Sequence, residues 1–350
     1  MSSARESSAC TGPLTEPEIV EEVATAVGLA EGPLGVRTVL AALARLEPVS
    51  IRRLSRAAEL PVPIVASICG ELRQRGVVST KRPAQLTQRG RRLFAGGRLS
   101  LPNASTCPTC GGLGAMVPGE LAGVGAELAK LARRAPPPNL ELDQCHATVG
   151  TKLRRVLALH EADGLVGRRV LLLGDDDLVS LAIAAVVRSF GTATTIAELV
   201  VVDIDPAVLD FIADHLAGAP FPVTCRQLDL REDLPADLER RFDTVVTDPP
   251  YTVEGARLFL TRAAEALAGP GASVFFSFGS RRPGASFRIQ QEIVALGFVI
   301  RGLRTDFNEY LGAGALGGTS HLYELVAASA LEPEVALDVG ASLYTGAAAG

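Results

Sequence analysis

A chain of 350 residues exceeds one ordinary domain of roughly 100–200 residues, so two domains are expected. It is 47% apolar and 21% charged, yet no apolar stretch approaches the ~20 residues of a membrane-spanning helix, so such a helix is excluded. The net charge of −5 divides unevenly: residues 1–150 carry 17 Lys+Arg against 13 Asp+Glu, or +4, and residues 151–350 carry 17 against 26, or −9, which disfavours a polyanionic substrate for the second half and favours a cation.

The amino terminus, Met1-Ser2-Ser3-Ala4-Arg5, leads into Glu and Pro rather than an apolar segment, so a cytoplasmic protein without membrane attachment is expected. Six Cys do not make a disulfide scaffold, and reduced thiols are expected. Residues 1–15 read as disordered. From residue 16 to 98 apolar periodicity predicts helices over 17–30, 36–43, 51–58 and 62–75, followed by a two-stranded wing at 76–78 and 86–90. That order describes an α-rich winged-helix domain. Such a domain either binds DNA through the helix from Pro61 to Arg75 or serves as a dimerisation or substrate-lid module; fusion to an apparent catalytic domain favours the second, with a dimer expected and nucleic acid not.

Residues 99–138 form a connector rich in Cys, Gly and Pro. Within it Cys107 and Cys110 make a C-x-x-C pair, but zinc requires four ligands and no second pair stands nearby, so no metal is expected and a tight turn with two thiols is favoured over a zinc or redox site. The stiff run Ala135-Pro136-Pro137-Pro138-Asn139 marks the preferred boundary.

From 139 to 330 strand and helix signals alternate. Strands are predicted at 169–173, 198–202, 223–228, 244–247, 272–278, 298–305 and 321–327, with helices at 178–190, 206–216, 255–268 and 288–296. Such repetition predicts an α/β fold, a mostly parallel Rossmann-like sheet of the methyltransferase type. The Ala- and Gly-rich tail from 331 to 350 is expected to be flexible.

Ligands of such sheets bind beyond the carboxyl ends of the strands. Asp203, about 30 residues past the first strand, suits the ribose hydroxyls, and Asp229 suits an adenine amino group, whereas Asp205 before Pro206 reads as a helix cap. The first turn departs from G-x-G-x-x-G: Gly174-Asp175-Asp176-Asp177 repels phosphate and carboxylate and attracts ammonium. A dinucleotide is therefore not expected. One Asp could cap the next helix, but three together, facing a second acidic loop, call for a polycation. That second loop is Asp248-Pro249-Pro250-Tyr251, in which the carboxylate and a prolyl carbonyl can accept from an amine while the ring packs beside it.

These segments, with Leu142-Asp143-Gln144, Val202-Asp203-Ile204-Asp205, Asp229-Leu230-Arg231, Phe242-Asp243-Thr244 and Phe307-Asn308-Glu309-Tyr310, resemble the branched-chain polyamine synthases. The resemblance implies an aminopropyltransferase that uses decarboxylated S-adenosylmethionine as co-substrate, spermidine as acceptor and no permanent cofactor, and that releases 5′-methylthioadenosine. It implies Asp175, Asp176, Asp177 and Asp248 around the attacking amine. Gly174, Asp203, Asp229, Leu230 and Pro249 would hold the nucleoside, and Asp143, Pro250, Tyr251, Glu309 and Tyr310 the polyamine. Two other readings compete. A methyltransferase acting on exocyclic amines of DNA or RNA also uses D-P-P-Y, but requires a Gly-rich first turn and a basic groove. A winged-helix sensor of polyamines or nucleosides need not retain Asp248 together with the triplet.

Overall fold

The computed structural model describes residues 15–94, 114–191, 195–279, 283–312, 318–328 and 343–344. Contacts divide the chain into two compact units, Met1–Pro102 and Asn103–Gly350.

The first unit is helical: α1 (Glu16–Val27), α2 (Gly32–Leu46), α3 (Ile51–Ala58), α4 (Val62–Gln74) and α5 (Gln88–Leu93). Helix α1 begins where Thr15 and Glu18 form a capping box and ends at Gly28, whose φ of 62° suits glycine. Ile19, Val23, Val39, Leu43, Leu54, Ile68 and Leu72 meet in its core. The second strand predicted at 86–90 is mostly absent. The backbone instead makes single antiparallel bridges, Val78 to Leu86 and Val49 to Ala84, and enters α5 at Gln88. Thr87 caps that helix by accepting from the Gly90 amide at 3.0 Å, and a Cβ at residue 90 would lie 2.3 Å from the Val77 carbonyl oxygen. Glycine there allows a close helix where the sequence suggested a strand.

The second unit starts with α6 (Ala122–Ala132) and α7 (Val149–Glu161). Helix α6 lies inside the expected connector. Leu121, Val124 and Leu128 are spaced to bury one face of it, while Gly123 and Gly125 obscure the pattern. Cys107 and Cys110 lie outside the described residues. There follow β1 (Arg169–Leu173), α8 (Val179–Phe190), β2 (Glu198–Asp203), α9 (Pro206–Leu216), β3 (Val223–Gln227), β4 (Thr244–Thr247), α10 (Val253–Ala266), β5 (Ser273–Phe278), α11 (Pro283–Ala295), β6 (Phe298–Glu309) and β7 (Thr319–Ala327).

The strands form one seven-stranded sheet in the order β3-β2-β1-β4-β5-β7-β6. Strands β1 to β5 pair in parallel, while β7 runs antiparallel to both β5 and β6. Each central strand is apolar on both faces because helices cover both. Leu172, Val201 and Val246 enter the core beneath α8 and α9, and the alternate residues Leu171, Val200 and Val245 enter the core beneath α10 and α11. Sequence order reverses between β1 and β4, so the loops after those strands flank a cleft at the carboxyl edge of the sheet.

Candidate active site

The parallel strands deliver the triplet after β1, Asp203 at the end of β2, Asp229 after β3 and Asp248 after β4 to one edge. Gly174 adopts φ 72°, a conformation that favours glycine, and its amide donates to the Val202 carbonyl at 2.8 Å. Leu178, also left-handed at φ 55°, closes the same turn and is buried. Between these two bends the three aspartates point in different directions.

Asp175 turns back onto α8. Its carboxylate accepts from the Val179 amide at 2.7 Å and the Ser180 amide at 3.1 Å, while its own amide donates to Asp203 Oδ2 at 2.9 Å. Burial pushes its carboxyl up to about 7. Asp177 turns toward α7, where Arg155 Nη1 donates to it at 2.6 Å, the Ala147 amide donates to it as well, and Lys152 Nζ donates to the Asp177 carbonyl. Burial disfavours its charge, but Arg155 and Lys152 outweigh that, and its carboxyl titrates below the usual range. Asp176 is the least buried of the three. Its Oδ2 accepts from the Cys145 amide at 3.1 Å, and among the described residues no protein donor reaches Oδ1. Burial first, then Asp177, Asp203 and Asp248, hold its carboxyl well above the usual range.

Arg155 joins the two acidic loops. Its Nη2 donates to Asp248 Oδ2 at 2.6 Å and to the Tyr310 hydroxyl at 2.9 Å, and its Nε donates to Asn308 Oδ1 at 2.8 Å. Tyr310 in turn donates to Asp248 Oδ2 at 2.6 Å and accepts from the Tyr251 hydroxyl at 2.8 Å, with Ser320 Oγ also 2.8 Å away. Burial raises the Asp248 carboxyl to about 7, opposed by Arg155 and assisted by Asp177. The Tyr251 ring packs against Phe278 with centroids 5.3 Å apart, so Tyr251, Phe278 and Tyr310 form an aromatic wall beside Asp248. Pro249 is buried and Pro250 half-buried; the Pro250 carbonyl accepts from the Thr252 amide at 2.8 Å. A Cβ on Gly255 would lie 2.8 Å from that carbonyl oxygen, so glycine lets α10 start directly against the loop.

A strap over residues 139–148 runs along the strand ends. Gln144 donates to Asp205 Oδ2 at 3.0 Å, the ring nitrogens of His146 lie 2.9 Å from the Asp176 and Pro136 carbonyl oxygens, and Ala147 bridges Tyr310. It carries Asp143, left-handed at φ 56°. Glu309, next to the strap through the Thr148 amide, has its carboxylate 3.5 Å from Arg154. Asp203 accepts from the amides of Asp175 and Asp205, and burial raises its carboxyl. Asp205 caps α9 through the Ala207 amide. The carboxylate of Asp229 is paired with Arg231, which lowers it, and the buried Leu230 gives its carbonyl to Arg262 Nε at 2.8 Å. The Tyr344 phenol is raised by burial and feels the charges of Arg231, Asp229, Asp143 and Asp203. The adjacent Leu343 carbonyl accepts from Thr252 Oγ1 at 2.8 Å.

Thus the structure gathers Asp176, Asp177, Asp248, Tyr251 and Tyr310 around Arg155, turns Asp175 into a helix cap and engages Asp229 with Arg231. Sequence reasoning missed Lys152, Arg155, Asn308 and Ser320. The signal was present: an acidic half-chain that buries carboxylates needs buried cations, and Lys152-Leu153-Arg154-Arg155-Val156 is its basic cluster between apolar residues. Among the described residues no group of three or more His, Cys, Asp or Glu could hold a metal ion.

Fold and site define an α/β protein with a cluster of carboxylates at the carboxyl ends of its parallel strands. The chain belongs to the branched-chain polyamine synthase A family: residues 124–334 match the family described as the branched-chain polyamine synthase A C-terminal domain. It is 34% identical over 312 residues to an uncharacterized protein of Methanocaldococcus jannaschii, covering 88% of this chain and 77% of that one. It is 31% identical to the N(4)-bis(aminopropyl)spermidine synthase of Thermus thermophilus, covering 84% and 81%. The crystal structure of the branched-chain polyamine synthase C9 mutein from Thermus thermophilus, in complex with N4-aminopropylspermidine and 5′-methylthioadenosine, superposes with a TM-score of 0.74 at 26% identity, covering 93% of this chain and 97% of the other.

Proposed function

We propose that this protein transfers the aminopropyl group of decarboxylated S-adenosylmethionine to an amine of spermidine and releases 5′-methylthioadenosine. The observation that carries the reading is Asp176: a carboxylate of which one oxygen meets no protein donor among the described residues, its proton affinity raised by burial and then by neighbouring carboxylates, at the strand-end edge where ligands of such sheets bind. In the reaction the nitrogen lone pair attacks the aminopropyl carbon next to sulfonium, the C–S bond breaks, and its electron pair stays on sulfur as the neutral thioether. The proton lost by the alkylated nitrogen passes to Asp176. Asp248 and the Pro250 carbonyl orient the same nitrogen, the aromatic wall flanks it, and Asp143 and Glu309 hold distal ammonium groups. Asp203 holds the ribose. Decarboxylation matters because a donor carboxylate would meet the triplet's repulsion.

The name of the Thermus relative and the ligands of its mutein support this reading. The acidic first turn counts against an amino-group methyltransferase, which grips a donor carboxylate at that point. We further read the sheet domain as Rossmann-like and the amino-terminal unit as a winged helix that serves dimerisation, in a cytoplasmic enzyme. The test is to incubate the protein with spermidine and either the decarboxylated donor or S-adenosylmethionine. Methylthioadenosine should form from the first alone; none from the decarboxylated donor refutes the assignment.

A further inference from the structure

We propose that Arg155 is a positioning residue that locks Asp177 and Asp248 into fixed orientations and so leaves Asp176 as the triplet carboxylate open to the amine. The inference rests on the aminopropyl-transfer reading for its kinetic consequence, while the geometry stands by itself. Arg155 lies on α7, and its guanidinium spends its donors on four partners from three other places in the fold: Asp177 after β1, Asp248 after β4, and Asn308 and Tyr310 at the end of β6. A planar fork with donors on both nitrogens can hold two carboxylates at once, whereas a lysine ammonium acts as a point charge. The charged and titratable groups around it are Lys152 and Arg154 on its own helix, Asp177 in the first turn, Asp248 and Tyr251 in the second loop, and Tyr310, with Asp175 and Asp176 facing Lys152. Arg155 donates to a carboxylate of each acidic loop.

The partners of Arg155 are themselves fixed. Asn308, fully buried, donates to Ser320 Oγ at 2.9 Å and to the His321 carbonyl at 3.2 Å, which leaves its Oδ1 to orient the guanidinium. The Tyr310 hydroxyl has one proton, which goes to Asp248, while its lone pairs face Arg155 and Tyr251. The guanidinium also lies 5.9 Å from the Tyr310 ring centroid. A side chain with so many constraints holds the separation of the two acidic loops, and that separation sets where the nitrogen sits relative to Asp176.

Arg155→Lys tests this. Lysine can pair with one carboxylate and not both, so the released one moves and gains proton affinity. Turnover on spermidine should fall about 100-fold, as for a displaced reacting group, while methylthioadenosine affinity stays within about threefold. The acid limb of the kcat/KM profile should rise by about one pH unit. A second readout does not need turnover. In protein labelled at aspartate 13Cγ, with the Asp177 and Asp248 signals assigned from their loss in Asp177→Asn and Asp248→Asn, at least one of these two carboxyls should titrate at higher pH in Arg155→Lys. Near-native turnover, or a drop in turnover that tracks lost folded protein with both titrations unmoved, overturns the proposal. Should the native protein release no methylthioadenosine, the reaction assignment falls, and the carboxyl titration alone decides for or against the clamp.

Discussion

Asp175 gives a sharp test of how the acidic turn is built, because its removal should change sign with pH. The carboxyl is 1% exposed and raised from 3.8 to about 7, mainly by burial. A group with a raised folded-state pKa contributes its full stability below the unfolded value, and that stability is lost as pH climbs through the folded one. Here the window runs from about 4 to about 7. A rise of about three units at about 1.4 kcal/mol each amounts to roughly 4 kcal/mol lost across it. Asp175→Asn does not titrate, but its single side-chain oxygen can accept from only one of the Val179 and Ser180 amides, which bond different carboxylate oxygens, and the other faces the side-chain NH2, a cost of about 1 kcal/mol. At about pH 4 the variant should therefore be less stable than the native protein by about 1 kcal/mol, and at about pH 8 more stable by roughly 3 kcal/mol. Urea unfolding of both proteins, followed by circular dichroism across that range, measures the difference. A stability difference that is flat with pH, or that favours the native protein at high pH, refutes the reasoning.

Two further outcomes follow from the same geometry. Asp176→Asn should lower turnover by roughly 100- to 10,000-fold, the range for a lost proton acceptor, while methylthioadenosine still binds, measured by titration calorimetry. Equal loss of both would move Asp176 from the amine to the nucleoside. Tyr310→Phe should destabilise the protein by about 1–3 kcal/mol in thermal unfolding, since the Tyr251 hydroxyl and Arg155 Nη2 each lose a buried partner. A variant as stable as the native protein would show that water replaces that hydroxyl.

The strand ends were legible because a buried parallel sheet writes itself as apolar runs, and Leu171-Leu172-Leu173, Val200-Val201-Val202 and Val245-Val246 each stop at a turn that carries Asp. The triplet and the D-P-P-Y loop were legible for the same reason: chemistry sits where the runs stop. The division of labour inside the triplet was not. It depends on the left-handed Leu178, whose side chain gives no sign that its backbone will bend, and on which way each carboxylate turns afterwards. Arg155 was hidden because an arginine on a helix normally reads as solvated; only the tertiary approach of α7 to two acidic loops buries it. Helix α6 was hidden by glycines that lower its helical signal without preventing packing.

The count of charges around the cleft explains why the acidic turn survives inside a folded protein at all. Asp175, Asp176, Asp177, Asp203 and Asp248 converge there, and among the described residues the cations buried against the triplet are Lys152 and Arg155, with the buried Arg154 set on Glu309 instead; burial disfavours the charge of Lys152. Both cations act on Asp177, Arg155 also holds Asp248, and Lys152 also attracts Asp175 and Asp176; beyond that, Asp175, Asp176 and Asp203 rely on backbone amides, and their proton affinity is raised. A neutral or anionic ligand would leave that imbalance in place. On the proposed reading, a ligand with several ammonium groups removes it on entry and lowers the proton affinity of Asp176, favouring the ionised form that can accept a proton from the alkylated nitrogen. On that reading, binding of the polycation and readiness of the base are one electrostatic event.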